Sequence, residues 1–300
     1  MQQSADRPLA GVFYMVLAGL FFVAVIAVVK HLNGALPAAE SAFLRYVLGL
    51  VFLLPMLRPM LQSGMSRQDL AIFGLRGAAH SLGVILWFYA MSEIPIAEVT
   101  AMGYLTPVYV TLGAAMFLGE RLALRRVLAI AVALLGALVI LRPGFRDLSG
   151  GHIAMLVAAL LFGVSYLSAK IMTGRVQPLA VVGMLSITVP IGLAPFAALV
   201  WVTPSPEQLG WLFLVAAFAT AGHYAMTLAF QAASIAVTQP VTFLQLVWSV
   251  SMGAIFFMEP VDGWVVFGGL IIISAVSFIA LREAALKRAT VRAAQSGGTD

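Results

Sequence analysis

The chain has 300 residues, 62% of them hydrophobic and only 10% charged, with a formal net charge of +5. A soluble domain runs nearer half apolar and a quarter charged, so this composition excludes an ordinary soluble domain and a disordered chain. Cysteine is absent, which excludes a disulfide framework, thiolate zinc sites and thiol catalysis. The excess of cations reads as membrane-anchoring loops rather than a nucleic-acid surface, because the arginines are dispersed.

A helix needs about 20 apolar residues to cross a bilayer. In chain order, ten stretches qualify: 8–30, 37–57, 68–92, 95–118, 123–141, 151–173, 178–201, 208–232, 236–258 and 263–282. The fold class predicted is therefore an all-α membrane protein of ten transmembrane helices. The first stretch is too long for a secretory signal, and its positive region is only Arg7 beside Asp6. Helix breakers mark many connections: Pro37, Pro59, Pro95, Arg142-Pro143-Gly144, Gly150-Gly151, Pro178, Pro204, Pro206 and Pro260.

Lysine and arginine set the orientation. With a cytoplasmic N-terminus, one side carries Arg7, Arg58, Arg67, Arg121, Arg125, Arg126, Lys170, Arg175, Arg282, Lys287, Arg288 and Arg292. The other side carries Lys30, Arg142 and Arg146, and Arg45 and Arg76 lie within spans. The bias places both termini in the cytoplasm of an inner-membrane, multi-pass protein.

The sequence also repeats. At an offset of 139, Ile96 matches Ile235, Leu105 matches Leu244, Phe117 matches Phe256 and Glu120 matches Glu259. At an offset of 140, Gly11 matches Gly151, Phe22 matches Phe162 and Lys30 matches Lys170. Each half then holds five spans. Five is odd, so the second half enters the membrane inverted, an architecture of many secondary transporters. The expected division is a first repeat over 1–146, an inverted second repeat over 147–285 and a cytoplasmic polar tail over 286–300.

Arg45 in FLRYVLGL, Arg76 in GLRGAA and the run FYAMSEIPIAEVTAMGYLTPVYVTLGAAMFLGERL, leading to a helix ended by Arg142-Pro143-Gly144, carry a resemblance. The chain resembles the EamA-type transporters of the drug/metabolite transporter superfamily over essentially its whole length. The most specific part is Phe88 to Leu122 with its Gly-Glu-Arg-Leu corner. The second copy departs from it: Met258-Glu259-Pro260 replaces Gly-Glu-Arg, and Leu246 stands where Pro107 stands in the first. The resemblance implies movement of small organic solutes, often amino acids or other metabolites, frequently outward.

Candidate substrate-binding residues follow from polar stripes on apolar helices. Arg76, His80, Gly83 and Trp87 are spaced four, three and four, which is one helical face. His223 lies in the matching span of the second half. Thr238, Thr242, Gln245 and Ser249 form a second stripe, flanked by Gln239, Phe243 and Trp248, with Tyr104 in the matching span. Buried arginine is costly in a bilayer, so Arg45 and Arg76 need a partner or water and suit an anionic group. No carboxylate is read at mid-span. The competing readings are snorkelling for the arginines, interhelical hydrogen bonding for the polar residues and core packing for the rings.

The repeat relates two charge pairs. Lys30 and Glu259 fall at the outer ends of their spans, and Lys170 and Glu120 at the cytoplasmic ends. The expectation is that each pair latches a gate when its side closes; the plainer reading is interfacial anchoring. A secondary transporter of an amino acid or related zwitterionic or anionic solute, working by alternating access, is the reading favoured. A flat heteroaromatic or nucleoside-like solute, such as a vitamin or methyl-donor cofactor, is the alternative. A passive channel and an intramembrane enzyme are further competitors: no filter loop interrupts the spans, and His80-Ser81 are adjacent and diverge by about 100° on a helix. The expected partners are a small-molecule substrate and the bilayer, without nucleic acid, as a homodimer or monomer. No cofactor, catalytic residue or metal ligand is expected, and no phosphate loop is present.

Overall fold

The computed structural model describes residues 7–32, 34–56, 64–119, 123–145, 147–173, 175–176, 178–233 and 238–296. All regular structure among them is helical. The helices are α1 (Pro8–Leu32), α2 (Ala38–Gly49), α3 (Arg67–Glu93), α4 (Ile96–Gly103), α5 (Thr106–Phe117), α6 (Leu124–Leu141), α7 (Gly150–Thr173), α8 (Pro178–Leu199), α9 (Pro206–Ala232), α10 (Phe243–Phe256) and α11 (Gly263–Ser296). A 3-10 helix over Leu50–Met56 extends α2, and another over Gln239–Thr242 precedes α10. Among the described residues, seven segments are long and apolar enough to cross a membrane, with α4 and α5 together forming one of them. The apolar parts of α8 and α10 are shorter.

Three stretches read as continuous helices are interrupted. The fourth breaks at Tyr104-Leu105, where Pro107 enters the first turn of α5 and lacks the N–H that would continue α4. The ninth opens as a 3-10 turn that includes Pro240, so the Thr238–Ser249 stripe spans a change of helical geometry. The second tightens to 3-10 after Gly49. The last helix runs past Arg282 to Ser296, so most of the expected polar tail is helical.

Local chemistry explains the ends. At the start of α3, Ser66 Oγ accepts from the Asp69 N–H while Asp69 accepts from the Ser66 N–H, a capping box. The same device recurs 139 residues later at α9, between Ser205 and Gln208. After α5 the chain turns through Gly119 at φ +68°, and after α10 through Met258 at φ +54°. These positions are also 139 residues apart.

The most extensive packing runs α1 along α9, α3 along α7 and α6 along α11. Small residues bring backbones close. A Cβ on Gly136 of α6 would lie 2.8 Å from the Gly268 carbonyl of α11, and one on Gly268 would lie 2.6 Å from the Gly136 carbonyl. A Cβ on Gly77 of α3 would meet Thr188 of α8 at 2.5 Å. Such contacts replace the hydrophobic drive that is missing between helices in lipid. The main core cluster is drawn from helices along the whole chain, with Val84, Phe88, Met91, Ile94, Ile96, Met102 and Leu105 all buried. Large apolar side chains such as Leu128, Leu135, Ile191 and Ile255 are exposed, which suits contact with lipid.

Candidate substrate site and interhelical latch

Halfway along α3, His80 is buried. Its Nε2 pairs with the Tyr46 hydroxyl of α2 at 2.9 Å and its Nδ1 with Ser165 Oγ of α7 at 3.1 Å. Its ring lies 5.0 Å from that of Phe162 on α7. Phe162 sits 6.2 Å from Trp87 and stacks on Tyr166 at 6.4 Å. Gly83 makes room for this ring, since a Cβ there would lie 3.1 Å from Phe162.

Arg76, one turn before His80, is buried and donates through Nη1 to the Val181 carbonyl of α8 at 2.6 Å. Its Nε is buried without a hydrogen-bond partner among the described residues. The Arg45 guanidinium lies over the Tyr46 ring at 4.4 Å, a cation–π contact. Both arginines are near enough to His80 to act on it electrostatically, and Arg45 acts so on His223 as well. His223 itself is exposed and lies edge-on to Phe22 of α1 at 5.0 Å. Two arginines, two imidazoles and a set of rings from α2, α3, α7 and α9 thus converge. This group can offer charge-assisted hydrogen bonds and flat apolar surfaces to one solute.

The second stripe is placed differently. Thr238 and Ser249 are buried, and Ser249 Oγ pairs with Thr100 Oγ1 of α4 at 2.6 Å. The Tyr104 hydroxyl at the α4–α5 break donates to the Thr242 carbonyl at the α10 break, 3.1 Å away. Gln245 packs against Gly19 of α1. Trp248 Nε1 is buried without a hydrogen-bond partner among the described residues. The side chains of Gln239 and Phe243 lie outside the described residues. Ser249 and the Thr242 carbonyl of this stripe are thus engaged between interrupted helices.

At one end of the bundle, Lys30 Nζ lies 2.6 Å from Glu259 Oε1 and donates to the Ile94 carbonyl at 2.9 Å. Glu259 Oε2 accepts from the Ile96 N–H at 3.0 Å. Nearby, Arg142 pairs with Asp262, and Glu40 accepts from the Val202 N–H at 2.9 Å. Glu98 and His152, both buried, meet at 2.7 Å. Lys170 is exposed, and Glu120 lies outside the described residues. At that opposite end Arg175 pairs with Asp69 at 3.3 Å.

Glu40, Glu98 and His152 escaped the sequence reading. A search for charges near mid-span passes over groups in the first turn of a span. Pro37 and Pro95 mark those first turns and place Glu40 and Glu98 within them.

The model for the EamA-like transporter family matches residues 9–142 and 149–281. The chain belongs to the EamA-like transporter family. A riboflavin transporter of Rhizobium johnstonii is 33% identical over 282 residues, covering 93% of each chain. The pseudopaline exporter CntI of Pseudomonas aeruginosa is 27% identical over 89% of this chain and 94% of its own. An S-adenosylmethionine uptake transporter of Rickettsia prowazekii is 25% identical over 85% of this chain and 86% of its own. A solved crystal structure shares the fold at a TM-score of 0.57 and 19% identity, covering 93% of this chain and 98% of that one. This EamA family member is thus a multi-pass membrane protein of a bacterial drug/metabolite transporter family, and its relatives are named as transporters of small molecules.

Proposed function

We propose that the protein carries a flat heteroaromatic metabolite with an anionic or carbonyl group across the inner membrane, by alternating access between two inverted five-span halves. The observation that carries this reading is the convergence of Trp87, Phe162 and Tyr166 with Arg76, Arg45 and His80. The rings suit a planar solute, and the unpartnered Arg76 Nε suits an acceptor on it. The similarity to a riboflavin transporter supports the class. The amino acid reading retains one specific support: the same Arg76 donor fits a carboxylate without any ring.

The inverted-repeat arrangement draws support from the packing. Exchanging first and second halves maps α1 on α9 to α7 on α3, and leaves α6 on α11 paired. The three crossings beyond the seven long segments are then α2 with its 3-10 extension, α8, and α10 with its 3-10 lead. With the termini cytoplasmic, the Lys30–Glu259 end faces outward and is latched, and Lys170 with Glu120 forms the matching inner latch.

Counter-flow in proteoliposomes tests the substrate class. Vesicles loaded with riboflavin, S-adenosylmethionine or mixed amino acids are assayed for saturable uptake of the same labelled compound. Uptake of a heteroaromatic alone supports the proposal; uptake of amino acids alone assigns the site to the zwitterionic class. Linear, non-saturating flux contradicts a carrier, and product formation contradicts transport itself.

A further inference from the structure

Gly253 is buried in the last turn of α10 and has a negative φ, so its backbone does not require glycine. Space does. The three nearest atoms to a Cβ placed there all belong to Glu259: Oε2, then Cδ at 3.2 Å and Cβ at 3.5 Å. Glycine at 253 is thus room for one carboxylate. The chain reaches that seat by turning left-handed at Met258, and the Glu259 N–H donates back to the Gly253 carbonyl at 3.0 Å. Pro260 disfavours the helical region for the residue before it. From this seat Glu259 holds two groups of the first half, Lys30 Nζ at 2.6 Å and the Ile96 N–H at 3.0 Å. That N–H is an orphan donor at the start of α4, where Pro95 provides no side-chain cap.

The same corner occurs in the first half with one difference. The Leu118 N–H donates to the Ala114 carbonyl at 3.0 Å, as the Phe257 N–H donates to the Gly253 carbonyl at 3.1 Å, 139 residues on. The backbone matches as well, with φ −106° and ψ 1° at Leu118 and φ −119° and ψ 3° at Phe257. Gly119 and Met258 are both left-handed. Glu120 then corresponds to Glu259, Arg121 to Pro260, and the buried Ala114 to Gly253. A carboxylate returning from position 120 by the same path would meet the Ala114 methyl, and no proline restrains it.

We propose that residues 253 and 114 are the positioning residues of the two charge pairs and make them unequal. Glycine at 253 seats Glu259 on Lys30 and on the start of α4, and alanine at 114 denies Glu120 the equivalent seat. The Lys30–Glu259 pair is then the stronger of the two. That the pairs act as gate latches rests on the alternating-access reading above; the seat itself does not.

Melting temperatures of the full chain in one detergent test the seat without any transport. Alanine forms helix better than glycine, so a glycine with no task would give a higher melting temperature when replaced. Gly253→Ala is expected to lower it instead, because Lys30 and the Ile96 N–H lose their acceptor. In a Glu259→Ala background the same substitution is expected to leave it unchanged or raise it, since only the ordinary 3.5 Å Cβ contact remains. The Lys30→Ala and Glu259→Ala cycle is expected to be non-additive in the native background and additive with Gly253→Ala. Ala114→Gly is expected to increase the non-additivity of Lys170→Ala with Glu120→Ala. An equal fall for Gly253→Ala with and without Glu259 overturns the proposal, because position 253 is then a packing position alone. So does a Lys30–Glu259 cycle that Gly253→Ala leaves unmoved, or a Lys170–Glu120 cycle that Ala114→Gly leaves unmoved. If Gly253→Ala does not fold alone, recovery on adding Glu259→Ala supports the proposal and continued failure overturns it. Counter-flow separates this from the gate reading: lost coupling in Gly253→Ala with unchanged counter-flow keeps the seat and removes the gate.

Discussion

The stretches 9–142 and 149–281, each matched by the same family model, differ in an instructive way. What recurs between them is scaffold. Capping boxes open α3 and α9, Gly83 and Gly222 each accommodate a phenylalanine ring, and each of the two histidines lies 5.0 Å from that ring. What does not recur is chemistry. Arg76 corresponds to Val215, which is buried in the core, and Trp87 corresponds to Met226. His80 is buried and hydrogen-bonded to Tyr46 and Ser165, whereas His223 is exposed. The two stretches thus share their helix starts and close-packing glycines and differ in the polar and aromatic side chains they carry.

Shared scaffold should be sensitive to bulk in either copy. Gly136→Val drives a branched side chain into the Gly268 carbonyl and Ile272, and is expected to cost about 3 kcal/mol in thermal unfolding in detergent. Gly210→Ala meets nothing within 4 Å and is expected to stabilise helix α9 by about 0.5 kcal/mol. Equal behaviour of the two variants would break the distinction between close-packed and free glycines.

The latch comes next in size. Glu259→Ala leaves Lys30 and the Ile96 N–H without their acceptor in a partly buried site, for an expected loss of about 2 kcal/mol. Lys30→Ala and Glu259→Ala should be non-additive in transport rate, since one interaction is lost in both. Additive effects in a double-mutant cycle would sink the gate pair.

The corners offer the smallest and sharpest contrast. Gly119 adopts a left-handed conformation at little cost, and Met258 adopts it at about 1 kcal/mol. Gly119→Ala is thus expected to destabilise and Met258→Gly to stabilise, each by about 1 kcal/mol, read as melting-temperature shifts of opposite sign. Effects of the same sign would mean that the two turns are not held alike.

The helical class and most segment edges were legible in the sequence, because hydropathy and prolines such as Pro37, Pro95 and Pro206 act locally. The breaks near Tyr104 and Thr242 were not, because the apolar run continues across both and Pro107 and Pro240 were read as part of it. The Arg76–His80–Trp87 face was legible from its spacing. Tyr46, Ser165 and Phe162 were not, since periodicity sets which residues share a face but not which faces meet. The burial of Glu98 and His152 is not legible from their place at span ends, because it comes from neighbouring helices.

The most direct measurement of the central claim is counter-flow of the heteroaromatic solute taken up in the proteoliposome panel, by wild type and by Arg76→Ala, with the melting temperature of both recorded. The account predicts saturable exchange by wild type and a fall of at least about tenfold in Arg76→Ala per unit of folded protein, as expected for loss of one charge-assisted hydrogen bond, together with a lowered melting temperature because the Val181 carbonyl loses its donor. Wild-type rates in Arg76→Ala would contradict it.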